Sequence, residues 1–276
     1  MEYFELDCAI EPLYPGRDIL VTELAELDFD SFVDTDNGVK AYVPCPLFMK
    51  DKLEELLARY TGVLSVTYSQ THIPFQNWNA QWESQFEPIE IDETWRIRAP
   101  FHPPIPGKKE IIIAPKMSFG TGHHETTFLM CSQLIREDLA GKSLLDMGCG
   151  TGVLAILARL LGAKSICGIE IEEHAIENAI ENAANNAVEG GTWLCGGKEV
   201  IPNTKWDLIL ANINKNVLVD MSSDFWKNIA DEGQLWLSGF FDSDIESLKI
   251  KFAEIGFVHV DEIVLRGWAL LKFKRV

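Results

Sequence analysis

Two apolar rhythms run along the chain, and they change over near residue 70. Residues 3–10 alternate apolar and polar side chains, the period of a half-buried strand. Residues 16–27 then set Ile19, Leu20, Leu24 and Leu27 on one helical face. Residues 29–34 and 38–43 predict two strands around Asp36-Asn37-Gly38, where the Asn-Gly pair suits a tight hairpin. A second amphipathic helix over residues 51–60 and a fourth strand over 63–68 complete the order strand-helix-strand-strand-helix-strand. That is the ferredoxin-like order. Residues 1–70 hold no catalytic cluster and read as a binding module.

Residues 71–100 read as a connector. Trp78, Trp82 and Phe86 lie four apart, on one face of a short predicted helix, a spacing that favours packing over base stacking. Prolines at 88, 100, 103, 104 and 106 interrupt regular structure before an apolar run at 110–114. From there strands and helices alternate. Apolar runs at 144–147, 164–170, 192–195, 206–211 and 233–238 are separated by helical stretches, including 128–135, 153–161, 172–187 and 244–254. Continuous apolar strands with helices between them predict a parallel sheet covered on both faces. Residues 257–265 and 268–273 close the series as a hairpin around Arg266-Gly267.

Chemistry concentrates where the first of these strands ends. Residues 144–147 run into Asp146-x-Gly148-x-Gly150-x-Gly152, followed at once by a helix. Glycines permit left-handed backbone angles and leave no Cβ between chain and ligand, so this turn can touch a cofactor with its backbone, chiefly at Gly148 and Gly150. The spacing differs from the G-x-G-x-x-G of dinucleotide folds. With an acid inside the strand end, it is the form seen in S-adenosylmethionine-dependent methyltransferases, whose cofactor has no pyrophosphate. Glu170 ends the next strand, about 20 residues beyond the first glycine, where a carboxylate accepts hydrogen bonds from ribose hydroxyls. Asn212 follows the strand at 206–211, on the side where ligands lie in open α/β sheets, and Asn214 is the better candidate to cap the next helix. Residues 115–127 gather two glycines, two histidines and three threonines; the hydroxyls of Thr126 and Thr127 either contact the cofactor or cap the following helix. His123, His124 and Glu125 are adjacent, so their side chains diverge, and no metal site is expected.

Composition narrows the partners. The net charge of −18 repels phosphate backbones and favours a basic protein partner or a cationic substrate group. No stretch approaches the ~18 apolar residues of a membrane span, and the first residues carry neither a basic region nor a signal-peptide core. Six cysteines without a C-x-x-C pair suit a reducing compartment, so a cytoplasmic protein is expected.

Taken together, the 119–127 loop, the Asp146-x-Gly148-x-Gly150-x-Gly152 turn, the Trp78/Trp82 connector and Ala211-Asn212-Ile213 resemble the ribosomal protein L11 methyltransferase family over essentially the whole length. The resemblance implies an α/β fold: a seven-stranded Rossmann-like class I methyltransferase domain at 101–276, preceded by the ferredoxin-like module and the connector. It implies S-adenosylmethionine as methyl donor, and as acceptors the α-amine and lysine amines of large-subunit ribosomal protein L11. It places cofactor contacts on Thr127, Gly148, Glu170 and Asn212, beside the turn's Gly150 and Asp146 and the loop's Thr126. Asn212 would also be catalytic, aiming a neutral amine without a strong general base. The N-terminal module would grip the protein substrate. A monomer is expected, with no direct nucleic-acid or membrane binding. Family members often have aspartate at Glu170, leucine at Asn214 and proline at Glu125. The residues alone leave open a methyltransferase acting on another protein, an RNA or a small amine, and a non-catalytic cofactor sensor.

Overall fold

The computed structural model describes residues 2–73, 86–116 and 118–276, so the predicted Trp78/Trp82 helix lies outside the described residues. The chain divides into two compact units, Met1–Ser84 and Gln85–Val276.

In the first unit β1 (Tyr3–Glu11), α1 (Leu13–Ala25), β2 (Ser31–Thr35), β3 (Gly38–Pro44), α2 (Lys50–Arg59) and β4 (Ser65–Ile73) form one antiparallel sheet in the order β2-β3-β1-β4. This is the ferredoxin-like topology predicted from the apolar rhythm. Every second residue of β1 (Leu6, Cys8, Ile10) faces the helices, with Val39, Ala41 and Val43 beside them, and Leu20, Leu24, Leu53 and Leu56 close the core. The last strand runs further than expected, to Ile73. Its end is polar and exposed, and the ladder to β1 rather than burial makes it a strand, from Ser65 opposite Glu11 to Ile73 opposite Tyr3.

The second unit opens with a small sheet that the connector reading of residues 71–100 does not foresee. Strands β5 (Ile89–Glu90), β6 (Trp95–Arg98) and β7 (Lys109–Ile112) pair, β6 lying antiparallel to β5 and parallel to β7. All four residues of β6 are buried, Arg96 and Arg98 among them. Buried guanidinium groups need partners, and both find Glu110. Arg96 Nε lies 2.8 Å from Glu110 Oε1 and Arg98 Nε 2.7 Å from Oε2, while the Ile105 N–H donates to Oε1 at 3.0 Å. Burial pushes the Glu110 carboxyl up, but Arg98, the Ile105 amide and Arg96 outweigh it and leave the pKa at about 2. A carboxyl depressed from 4.5 to about 2 contributes about 3 kcal/mol of stability, present above pH 4.5 and lost as pH falls toward 2. Glu110→Gln is therefore expected to cost about 3 kcal/mol at pH 7, because it removes the negative charge that two buried arginines share while leaving their bonds to the Pro103, Ala99 and His102 carbonyls, and to flatten the acid limb between those pH values. Urea denaturation of both proteins across that range checks it; parallel stability curves would exclude this role for Glu110.

The main sheet has seven strands: β8 (Ser143–Met147), β9 (Ser165–Glu170), β10 (Thr192–Cys195), β11 (Trp206–Asn212), β12 (Ile229–Phe241), β13 (Phe257–Leu265) and β14 (Trp268–Arg275). Their order is β10-β9-β8-β11-β12-β14-β13, with the first five parallel and β14 antiparallel to both its neighbours. Helices α3 (Glu125–Leu134), α4 (Val153–Leu160), α5 (Glu173–Asn185), α6 (Lys215–Asp220), α7 (Ser222–Asn228) and α8 (Ile245–Ile255) cover it. Alternate strand residues feed two cores. Leu144, Leu208, Leu210 and Trp236 join Met130, Leu134 and Ile156 on one face; Leu145, Ile209, Leu235 and Leu237 join Leu218, Phe225 and Phe252 on the other. Chain order reverses between β8 and β11, which opens a crevice at their carboxyl ends. Among the described residues no helix is long and apolar enough to cross a membrane.

Candidate active site

The glycine turn leaves β8 at the edge of that crevice. Gly148, Gly150 and Gly152 have φ of +74°, +50° and +77°, in the left-handed region. A Cβ on Gly148 would collide with Ile213 Cγ2, and one on Gly150 with the Phe119 carbonyl oxygen. The turn is pinned on both sides. Gly148 and Cys149 donate their N–H groups to Ile169 O at 2.8 and 3.0 Å, and Thr151 donates its own to Phe119 O at 2.9 Å. The Thr151 hydroxyl donates to Gly120 O at 2.7 Å. At the end of β9, Glu170 Oε2 accepts the Gly150 N–H at 3.1 Å and Oε1 the Ile171 N–H at 2.8 Å. The carboxylate thus stands against the turn, with lone pairs left for a ligand.

Asp146 sits beneath the turn and is fully buried. Its Oδ2 accepts the Ala155 N–H at 3.3 Å, and its Oδ1 has no partner among the described residues. Burial pushes this carboxyl up to about 7; the Ala155 amide pulls the other way and the nearby Glu170 charge adds to the rise.

Three asparagines that the sequence reading passed over hold the scaffold in register. Asn178, Asn182 and Asn186 lie four apart along α5 and its C-terminal end, on one face. Asn182 accepts the Ala114 N–H at 2.8 Å and donates to Thr151 O at 2.9 Å, so it ties the segment after β7 to the glycine turn. Asn186 accepts the Ile112 N–H at 2.8 Å and donates back to Ile112 O at 2.6 Å. Asn178 donates to Ala114 O at 3.4 Å. The signal that could have found them is polar residues repeating every fourth position on a face where buried alanines also fall.

The helix after the 115–124 loop begins earlier than residue 128, and its cap differs from the alternative offered for Thr126 and Thr127. His124 is the N-cap: its Nδ1 accepts the Thr126 N–H at 3.3 Å and lies 2.8 Å from the Thr126 hydroxyl. Both threonines are fully buried in the first turn of α3. Thr127 Oγ1 accepts a hydrogen bond from Asn212 Nδ2 at 3.3 Å, across from the end of β11. That leaves Asn212 Oδ1, which is buried and has no partner among the described residues. Asn214 caps α6 by accepting the Val217 N–H at 3.2 Å, as its position suggested. His123 turns away from His124, toward Thr121 Oγ1 at 3.3 Å and Glu87 O at 3.1 Å.

A cavity of about 260 Å³ lies between Phe119, His124 and Trp268 on one side and Asn212, Ile213 and Gly239 on the other. The rings form a continuous wall, with centroids 5.2 Å apart for Phe119 and His124, 4.6 Å for His124 and Trp268, and 4.2 Å for Trp268 and Phe241. Gly239 has φ of +92°, and a Cβ there would strike the Ile213 carbonyl. No spacing in the sequence ties Trp268 to the glycine turn, 120 residues earlier; only the antiparallel return of β14 brings it there.

Comparison with known proteins places this geometry in context. A family model described as "Ribosomal protein L11 methyltransferase (PrmA)" matches residues 17–276. A ribosomal protein L11 methyltransferase of Porphyromonas gingivalis is 44% identical over 267 residues, covering 95% of this chain and 91% of its own. One from Chlorobaculum tepidum is 36% identical over 275 residues, covering 96% and 92%. Among solved structures, a ribosomal protein L11 methylase from Lactobacillus delbrueckii subsp. bulgaricus superposes with a TM-score of 0.63 at 26% identity, over 69% of this chain and 99% of that one.

Proposed function

This chain belongs to the ribosomal protein L11 methyltransferase family, and from that premise we propose that it methylates the α-amine and lysine amines of ribosomal protein L11 at the Asn212 cavity. The observation that carries this reading is Asn212 Oδ1, a buried acceptor without a partner among the described residues, at the edge of an aromatic-walled cavity beside the glycine turn.

The cofactor is S-adenosylmethionine, which when bound supplies an electrophilic methyl group on a sulfonium. The residues present fit it. Gly148 and Gly150 take left-handed angles and pack so closely on Ile213 and Phe119 that only glycine fits the turn, Thr127 supports Asn212, and Glu170 offers carboxylate lone pairs beside the turn. Asp146 acts from beneath, holding the start of α4 through Ala155.

An amine must be neutral to attack, and a lysine amine in water has a pKa of about 10.4. The cavity favours the neutral form by offering an uncharged acceptor: the Asn212 oxygen takes one N–H and aims the lone pair. A carboxylate in the same place would hold the ammonium instead. His124 is a poor candidate for a base, because its Nδ1 already accepts the Thr126 N–H. The nitrogen becomes positive as it gains the methyl, and the surrounding rings of Phe119 and Trp268 suit that charge before a proton leaves to solvent.

We assign residues 1–70 the grip on the protein substrate, residues 71–100 the connection and residues 101–276 the chemistry. Supporting this, residues 1–70 carry 14 acidic against 5 basic side chains, half of the chain's net charge, a surface suited to a basic partner. The same balance disfavours direct binding to nucleic acid. Action as a monomer in the cytoplasm belongs to the same proposal. Mass spectrometry of ribosomal protein L11 incubated with the enzyme and S-adenosylmethionine tests the reading, with methyl gains expected; no gain, with cofactor binding intact, would overturn it. Deleting residues 1–70 should leave cofactor affinity within about threefold and cut methylation of the ribosomal protein by about a hundredfold or more, on the order of an entire docking surface. Undiminished methylation would exclude the docking role.

A further inference from the structure

A second cavity, of about 390 Å³, lies beside the one that holds Asn212. Ile89, Phe128 and Leu265 give it apolar walls, and Glu125 and Arg266, also on its lining, pair with each other at 3.4 Å. The same two stretches of chain serve both cavities. His124, Thr126 and Trp268 line the first; His123, Glu125, Leu265 and Arg266 line the second. Residues next to each other in the chain therefore line different cavities, which places the two side by side.

Gly122 packs closely against the apolar wall of the second cavity. Its φ is +98°, and a Cβ there would sit 2.6 Å from Ile97 Cδ1 and 2.8 Å from Ile89 Cδ1. The His123 ring is held by Thr121 and Glu87, and the Arg266 guanidinium is engaged by Glu125. What remains for a ligand is mostly hydrocarbon surface.

We propose that this second cavity receives an apolar side chain of the protein substrate, from a residue within two positions of the amine being methylated. The proposal rests on the reading of the first cavity as the amine pocket. An extended peptide sends successive side chains to opposite sides and advances about 3.3 Å per residue. Residues adjacent in the chain line the two cavities, His123 beside His124 and Glu125 beside Thr126, so a peptide with its amine in one carries a side chain one or two positions on to the other. The amine enters on the Asn212 side while a neighbouring side chain drops behind the Glu125–Arg266 pair. A leucine, methionine or phenylalanine there would leave water, whereas a serine would lose that gain. Discrimination between apolar side chains of different size in such a pocket is worth about 10- to 200-fold in kcat/KM.

The test uses the intact enzyme and intact ribosomal protein L11. Mass spectrometry first identifies the modified amines, and each apolar residue within two positions of one is changed to serine. At one such position kcat/KM for that amine is expected to fall about tenfold or more. The same serine substitution is then measured on Leu265→Trp, which fills the cavity, and on Phe128→Ala, which enlarges it, with cofactor affinity by calorimetry confirming that each variant is folded. The penalty should shrink toward onefold on both. An equal penalty on all three enzymes, or no apolar residue within two positions of any modified amine, overturns the subsite and leaves the amine pocket standing. If ribosomal protein L11 gains no methyl group at all, the amine-pocket reading falls and takes the subsite with it.

Discussion

Replacing Asn212 by alanine should lower kcat for ribosomal protein methylation by about 10²–10³-fold, the loss typical of one preorganised polar contact to reacting atoms. Cofactor affinity should change by less than about tenfold, because Gly148, Gly150 and Glu170 remain in place. The split follows from the two ends of the amide. Nδ2 is already committed to Thr127 at 3.3 Å, whereas Oδ1 is buried without a partner among the described residues. A buried acceptor left unpaired costs free energy in the free enzyme, and an incoming amine N–H relieves that cost. Asn212→Asp keeps the shape but adds a negative charge that holds the amine protonated. Its rate should recover only as pH rises toward the pKa of the acceptor amine, while the native rate recovers earlier. Steady-state kinetics and calorimetry on the three proteins decide it; equal losses in kcat and cofactor affinity on Asn212→Ala would make Asn212 a structural residue.

Gly150→Val should raise the dissociation constant for S-adenosylmethionine by more than about a hundredfold. Two costs coincide there. The position has φ of +50°, which a β-branched residue adopts at a penalty of about 1–2 kcal/mol, and its Cβ would enter the Phe119 carbonyl oxygen. Relief requires the 119–121 segment to withdraw, which breaks the Thr151 bonds to Phe119 and Gly120 and draws the Gly150 N–H away from Glu170. Gly190→Ala is the control, since Gly190 has φ of +74° but a Cβ there meets nothing within 4 Å. It should carry the backbone strain alone, at about 1 kcal/mol of stability, and bind cofactor normally. Equal affinity in Gly150→Val and the native protein would remove the turn from the cofactor site.

The catalytic sheet was legible because its strands are apolar on both faces and its turn needs glycines; residues 144–152 carry both signals within nine positions. The module at 1–70 was legible for a different reason, the two-residue alternation of β1. What escaped were elements whose burial is satisfied by distant partners. The β6 strand reads as charged because the carboxylate that pairs with Arg96 and Arg98, that of Glu110, comes more than ten residues later. Capping of α3 was one of two roles open to the hydroxyls of Thr126 and Thr127 because threonine is a common capping residue, whereas the His124 ring nitrogen caps the helix and leaves Thr127 free to accept from Asn212. The aromatic wall and the second cavity depend on the terminal hairpin folding back, a contact no local pattern encodes.

The asparagine ladder of α5 makes the backbone amides of Ile112 and Ala114 reporters on a helix to which they do not belong. Each gives its hydrogen to an amide side chain of that face, Asn186 and Asn182 respectively, rather than to a neighbouring strand. Their exchange with deuterated water therefore requires the helix to lift away, and the rate at which they do so keeps time for the opening of the glycine turn, whose Thr151 carbonyl hangs from the same Asn182.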